Sequence, residues 1–327
     1  MTRRMAATGS SVLMVAVALG IVYVVWGSTY LAIRVAVRHL PPLESAGWRY
    51  LSAAVILGAV LALRGGWRRL KVERRELLGS AVMGLLLPCI GNGLVVIGES
   101  MGAPSGIAAL LVAAVPLWII LYRAGSGDRP GLRTTAGVLL GFAGLVGLVA
   151  ADGIDGQLDV LACVVILVAT VGWSFGSWLM PQLRLPKDPF VMSFYEMVFG
   201  GAFLMLGGVV RGEPMLPTAV SAESWLAWAY LVVIGSVVAY TAYVWVLNAA
   251  PISLVATYAY VNPVVAVFLG WLILSEPLSA PVLLGGAVVV VGVAIVVSAE
   301  RRPRPGASRL PPDGGSGHHA PGLETAA

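Results

Sequence analysis

The chain has 327 residues, of which 58% are hydrophobic and only 11% charged, with a mean hydropathy of +0.89 and a formal net charge of +5. Soluble domains carry about 25% charged residues, so a water-soluble globular protein is excluded. The basic excess is better explained by loops that orient a membrane protein than by a nucleic-acid surface.

Apolar runs of about 20 residues, each enough to cross about 30 Å of hydrocarbon, recur along the chain. Residues 1–10 form a short polar, basic N-terminus. The first span, roughly Val12–Ile33, ends in Trp26-Gly27-Ser28-Thr29-Tyr30. Spans follow at about Leu43–Leu63, Leu77–Ile97, Ala103–Tyr122 and Leu132–Ala150, with a basic block from Arg64 to Arg75 between the second and third. After an acidic loop, five more fall at about Val160–Met180, Phe190–Val210, Trp225–Leu247, Ile252–Leu274 and Ala280–Ser298. Residues 299–327 are rich in Pro, Gly and Arg and lack a core-forming pattern, which predicts a disordered cytoplasmic tail. With the N-terminus inside, seventeen Lys and Arg residues fall on the inner side and three on the outer. That asymmetry predicts cytoplasmic N- and C-termini in a multi-pass inner-membrane protein.

A shift of 147 residues places Trp26 on Trp173, Pro42 on Pro189, Arg49 on Glu196, Pro104 on Pro251 and Pro116 on Pro263. A shift of 148 places Gly137 on Gly285 and Gly144 on Gly292. The expected fold is therefore an all-α integral membrane protein of ten transmembrane helices, built as two five-helix repeats, 11–150 and 158–298. Five is odd, so the second repeat enters the membrane from the opposite face. Inverted repeats are a signature of secondary transporters, whose sites lie between the repeats near the midplane.

Several motifs recur in one known family: W-G-S-T-Y (26–30), G-N-G (91–93) with Glu99, and P-S-G-I-A-A-L (104–110) with Pro116-Leu117. W-S-F-G-S (173–177) and T-Y-A-Y-V-N-P-V-V-A-V (257–267) complete the set. Across about residues 12–298 the chain resembles the ten-helix EamA-type permeases of the drug/metabolite transporter superfamily. The resemblance implies a central pathway between two bundles and transport of small metabolites or drugs. Ser275-Glu276-Pro277 matches a common family ending, whereas the first half has Gly127-Asp128-Arg129-Pro130 there.

Candidate site residues follow from polarity within apolar runs. Tyr258 and Asn262, four apart, share a helix face, with Thr257 adjoining. They offer a substrate-binding face, or hydrogen bonds between helices worth about 0.6 kcal/mol each. Trp26, Ser28 and Trp173 are candidates for the opposing walls, against a reading of the tryptophans as interfacial anchors. Asn92, Tyr240 and Tyr243 extend the set. Arg49, Glu196 and Glu99 are charge or coupling candidates, because an ionisable group in a span costs about 2.5–3.5 kcal/mol on insertion scales. Arg49 could attract an anionic group, Glu196 could carry a proton, and Glu99 could sit at the water boundary. Pro116 and Pro263 each break the bond to the carbonyl four residues back, those of Val112 and Ala259, and are hinge candidates.

No His, Cys or acidic cluster has metal-ligand spacing, so no metal or cofactor is expected. Cys89 and Cys163 lie in apolar runs as structural thiols. The expected partners are the lipid bilayer, a small-molecule substrate and a proton as coupling ion. The expected function is export or exchange of a small polar or amphipathic metabolite or drug by alternating access. A membrane-embedded enzyme would need a nucleophile–base pair at membrane depth, and a non-transporting scaffold or sensor would have no need of two kinked polar-faced helices.

Overall fold

The computed structural model describes residues 9–127, 130–154, 159–215, 220–250, 252–255 and 257–300. Pro251, the Asp128-Arg129 pair, residues 1–8 and the tail from 301 lie outside them, as does the Tyr260 side chain. The described residues are helical and include no strand.

Helices α1 (Gly9–Ala36) and α2 (Pro42–Gly65) are followed by α3 (Arg74–Ser100). Next come α4, in two segments (Ser105–Val112 and Val115–Gly125), and α5 (Leu132–Ile154). The second half repeats the series as α6 (Val160–Leu179), α7 (Pro189–Arg211), α8 (Ala222–Ala249), α9 (Tyr258–Leu274) and α10 (Ala280–Glu300). Among the described residues, seven helices are long and apolar enough to cross a membrane: α1 to α4 and α6 to α8.

Local chemistry explains the boundaries. Pro42 and Pro189 each occupy the first position of their helices, where the missing N–H removes no helical bond. The free N–H groups there still need acceptors. Asp188 supplies one to Phe190 at 3.0 Å, and Glu213 Oε2, from beyond α7, accepts from Leu43 at 2.8 Å and Glu44 at 3.0 Å.

Helices pack across the halves in matched pairs. α2 lies against α7 and α5 against α10, while α1 packs on α8 and α9 as α6 packs on α3 and α4. Glycines set the α5–α10 distance. A Cβ on Gly292 would come within 2.5 Å of Gly141 N, and one on Gly144 within 2.9 Å of Val289 N. Such backbone approach is how helices associate in lipid, where no water drives them together.

Two features lay beyond the sequence. α3 is π-helical over Leu85–Asn92 and α8 over Leu231–Tyr240, matching stretches at the repeat offset. The first contains Pro88, which cannot donate; the second has Gly235 at the same place.

The proline expectation is corrected in detail. α4 is not one helix kinked at Pro116: it stops at Val112, turns through Ala113 and Ala114, and restarts at Val115. Pro116 is second in the new segment, where its missing N–H goes unnoticed. Pro263 by contrast lies inside α9, and the interruption falls upstream, between the short turn Ile252–Val255 and Tyr258. The aligned prolines therefore occupy different backbone settings.

Candidate functional site

A cavity opens where α1, α2, α3, α4, α6, α8 and α9 converge. Trp26, Tyr30 and Ile33 line it from α1, Arg49 and Tyr50 from α2, and Asn92 and Val95 from α3. Val112 and Val115 face it from the two sides of the α4 interruption, and Thr170 and Trp173, Tyr240 and Tyr258 complete it from the second half. The space open to the centre of a water molecule is about 50 Å³. One water needs about 10–15 Å³ by that measure, so this conformation holds a few waters and no metabolite.

The aromatic wall is continuous. Trp26 meets Trp173 at 5.4 Å and 82°, Tyr258 at 5.6 Å and 88°, and Tyr243 at 4.7 Å and 42°. Tyr243 lies behind the wall, taking a hydrogen bond from Trp173 Nε1 at 3.2 Å and pairing with Ser177 Oγ at 2.9 Å. The π-helical turn of α8 offers the Gly235 carbonyl to Trp26 Nε1 at 3.4 Å. Both tryptophans line this cavity and meet across it.

Arg49 is 3% exposed. Its Nε donates to Ser236 Oγ at 2.8 Å and its Nη1 to Asn92 Oδ1 at 3.3 Å, so both π-helical segments hold the guanidinium. Its carbon lies 4.8 Å from the centre of the Tyr50 ring. Guanidinium has five N–H donors, and among the described residues no carboxylate pairs with it.

Glu196 is fully buried elsewhere. Its Oε2 accepts from the Tyr240 hydroxyl at 2.8 Å, and its Oε1 has no hydrogen-bond partner among the described residues. Tyr240 in turn meets Tyr50 edge to face at 6.0 Å, linking the two charged sites through aromatic rings.

The remaining candidates stand apart from the wall. Ser28 bonds the Val25 carbonyl at 2.7 Å and the Tyr230 hydroxyl at 2.6 Å. Thr257 bonds the Tyr23 hydroxyl and the Leu254 carbonyl. The Asn262 amide nitrogen is satisfied by the carbonyls of Tyr23 at 3.0 Å and Tyr258 at 3.3 Å. Thr257 and Asn262 thus join α9 to α1, while Tyr258 lines the cavity. The reading of Glu99 at the water boundary is corrected, because it is fully buried. Pro116 and Pro263 are buried too. Tyr30 and Tyr50 were missed as site residues, although each adjoins a chosen motif: Tyr30 ends W-G-S-T-Y, and Tyr50 follows Arg49.

Known proteins share this sequence and architecture. The model of the EamA-like transporter family matches twice, over residues 13–150 and 160–298. The Escherichia coli (strain K12) protein described as an uncharacterized inner membrane transporter, YedA, is 37% identical over 279 residues, covering 85% of this chain and 89% of that protein. A second E. coli K12 protein, a "probable amino-acid metabolite efflux pump", is 27% identical over 287 residues, covering 85% and 92%. One solved crystal structure superposes with a TM-score of 0.63 at 21% identity, over 90% of this chain and all of that one, which shows a shared fold. With two family units filling nearly all of its described length, the chain is a multi-pass membrane transporter that belongs to the EamA-like transporter family.

Proposed function

We propose that the protein is a secondary transporter that exports or exchanges a small amphipathic metabolite or drug bearing an anionic group. In this reading ten spans form two inverted five-helix repeats, with both termini in the cytoplasm. The matched pairing of α2 with α7 and α5 with α10 supports a two-fold relation between the repeats, and the odd number of spans in each makes that relation an inversion.

The observation that carries the substrate class is Arg49. A buried cation without a carboxylate is costly, and this one borders an aromatic cavity with N–H donors to spare. An anionic group on the substrate would complete the pair, and its apolar body would lie against Trp26, Trp173 and Tyr258. The amino-acid metabolite named for one relative has a carboxylate and is compatible with that chemistry.

The cavity is too small for such a molecule, so the bundles must part to admit it. The interruptions in α4, beside Pro116, and before α9, five residues ahead of Pro263, are the places where the backbone can bend with fewest lost hydrogen bonds, and they are the proposed hinges. Glu196, buried and bonded to a cavity tyrosine, is the proposed proton carrier. The test is uptake of a panel of labelled carboxylates and their neutral amides into proteoliposomes, with and without a pH gradient. Equal uptake of acids and amides would refute the anionic assignment.

A further inference from the structure

The Ser275-Glu276-Pro277 turn has a task that the transport site does not use. Ser275 adopts a left-handed backbone (φ 55°), and Glu276 N returns to the Gly270 carbonyl at 3.1 Å, folding Glu276 over the last turn of α9. Its carboxylate then caps the start of α4, in the other half of the chain. Oε1 accepts from Ser105 N at 2.9 Å, and Oε2 accepts from Ser105 Oγ at 2.9 Å and Gly106 N at 3.3 Å. These are free N–H groups at the positive end of a helix, where a carboxylate is held most strongly.

The joint is close-packed. A Cβ on Gly270 would lie 2.3 Å from Glu276 Oε2 and 2.8 Å from Ser105 Oγ, and one on Gly106 would lie 2.9 Å from Val267 Cγ2. Beside it Arg34 Nη1 donates to the Glu99 carbonyl at 2.7 Å, while the Glu99 carboxylate has no hydrogen-bond partner among the described residues. Arg34 lies one turn past Tyr30, a cavity residue on the same helix, and Glu99 lies in the last turn of α3, just before the turn into Ser105. The joint therefore sits at the end of the cavity bounded by Tyr30 and Ile33. At the repeat offsets of 147 and 148 the first half has Arg129 and Asp128 opposite Glu276, a pair that lies outside the described residues.

We propose that Glu276 is a positioning residue, a latch that keeps the outer end of the cavity shut by tying α9 to α4, and that it releases Ser105 and Gly106 when that end opens. The proposal rests on the transporter reading and its orientation.

The test is the labelling rate of Ile33→Cys by a membrane-impermeant maleimide, in right-side-out vesicles and with Cys89 and Cys163 replaced by alanine. Ile33 is 2% exposed and lines the cavity, so labelling should be slow with the latch intact. Glu276→Gln keeps the shape and removes the charge, and should speed labelling by about ten-fold or more. Gly270→Ala displaces the carboxylate without altering it and should act in the same direction, so the test survives if either variant fails to fold. Unchanged labelling in both variants would overturn the latch; if transport were lost as well, the transporter reading would still stand. Equal acceleration at Ala53→Cys, a fully buried site in α2, would also overturn it by showing general loosening. Acceleration seen only in inside-out vesicles would overturn the outer placement.

Discussion

The rings of Trp26 and Trp173 meet edge to face, with centroids 5.4 Å apart, although 147 residues separate them. Each belongs to the first helix of its repeat, so duplication has placed the same side chain on both sides of one cavity. Aromatic pairs of this geometry contribute about 0.5–1.5 kcal/mol beyond the area they bury. Trp26→Leu and Trp173→Leu should therefore couple by about that amount in a double-mutant cycle of thermal stability. Each single variant should also lower the transport rate, and strict additivity would show that the rings do not act as a unit.

Arg49 makes a sharper prediction because lysine can keep its charge but not its geometry. The guanidinium bonds Ser236 and Asn92 at once and still has donors for a substrate. Arg49→Lys should raise KM for an anionic substrate by about ten-fold or more, which is what losing one hydrogen bond to a charged group implies. The neutral amide should be transported no worse than before. An equal loss for acid and amide would make Arg49 a packing residue.

Glu196 should separate two transport modes. It is buried, bonded to Tyr240 through one oxygen and unpartnered at the other. Glu196→Gln keeps the Tyr240 hydrogen bond and removes the titratable group. Accumulation driven by a pH gradient should stop, while exchange of labelled for unlabelled substrate continues. Accumulation at the wild-type rate would assign the residue to structure alone.

The polar face of α9 divides in the same way. Tyr258 lines the cavity, whereas Asn262 is spent on the carbonyls of Tyr23 and Tyr258. Tyr258→Ala should impair transport with a modest fall in melting temperature. Asn262→Ala should chiefly lower the melting temperature by loosening α9 from α1. The pattern is checked by measuring uptake and thermal unfolding on the same preparations.

That division marks what could be read from residues alone. Hydropathy located the seven spans α1 to α4 and α6 to α8 to within a few residues, because crossing hydrocarbon leaves little choice of length or composition. By contrast α9, expected from Ile252, starts at Tyr258. The offset of 147 found Trp26 with Trp173 and Arg49 with Glu196 because such residues are rare in apolar runs. Tyr30 and Tyr50 were not singled out, since a tyrosine faces a cavity or a neighbouring helix according to rotation about the helix axis. The π-helical turns add to that rotation. They shift residues after Leu85 and Leu231 off the 3.6-residue count, and Ser236, which accepts from Arg49 within the second of them, was not among the candidates.

The α5–α10 seam allows a test of the fold that does not depend on transport. A Cβ on Gly292 would be 2.5 Å from Gly141 N and 2.7 Å from its Cα, both backbone atoms that cannot swing aside. Gly292→Ala must push the helices apart, and overpacking of this kind costs about 1–3 kcal/mol. A Cβ on Gly147, also in α5, would meet no atom within 4 Å. Gly147→Ala should be neutral or slightly stabilising, since alanine favours the helix by about 1 kcal/mol over glycine. A lower melting temperature for Gly292→Ala, with none for Gly147→Ala, would show that backbone contact holds the seam. The reverse order would mean that α5 and α10 are not packed through Gly292.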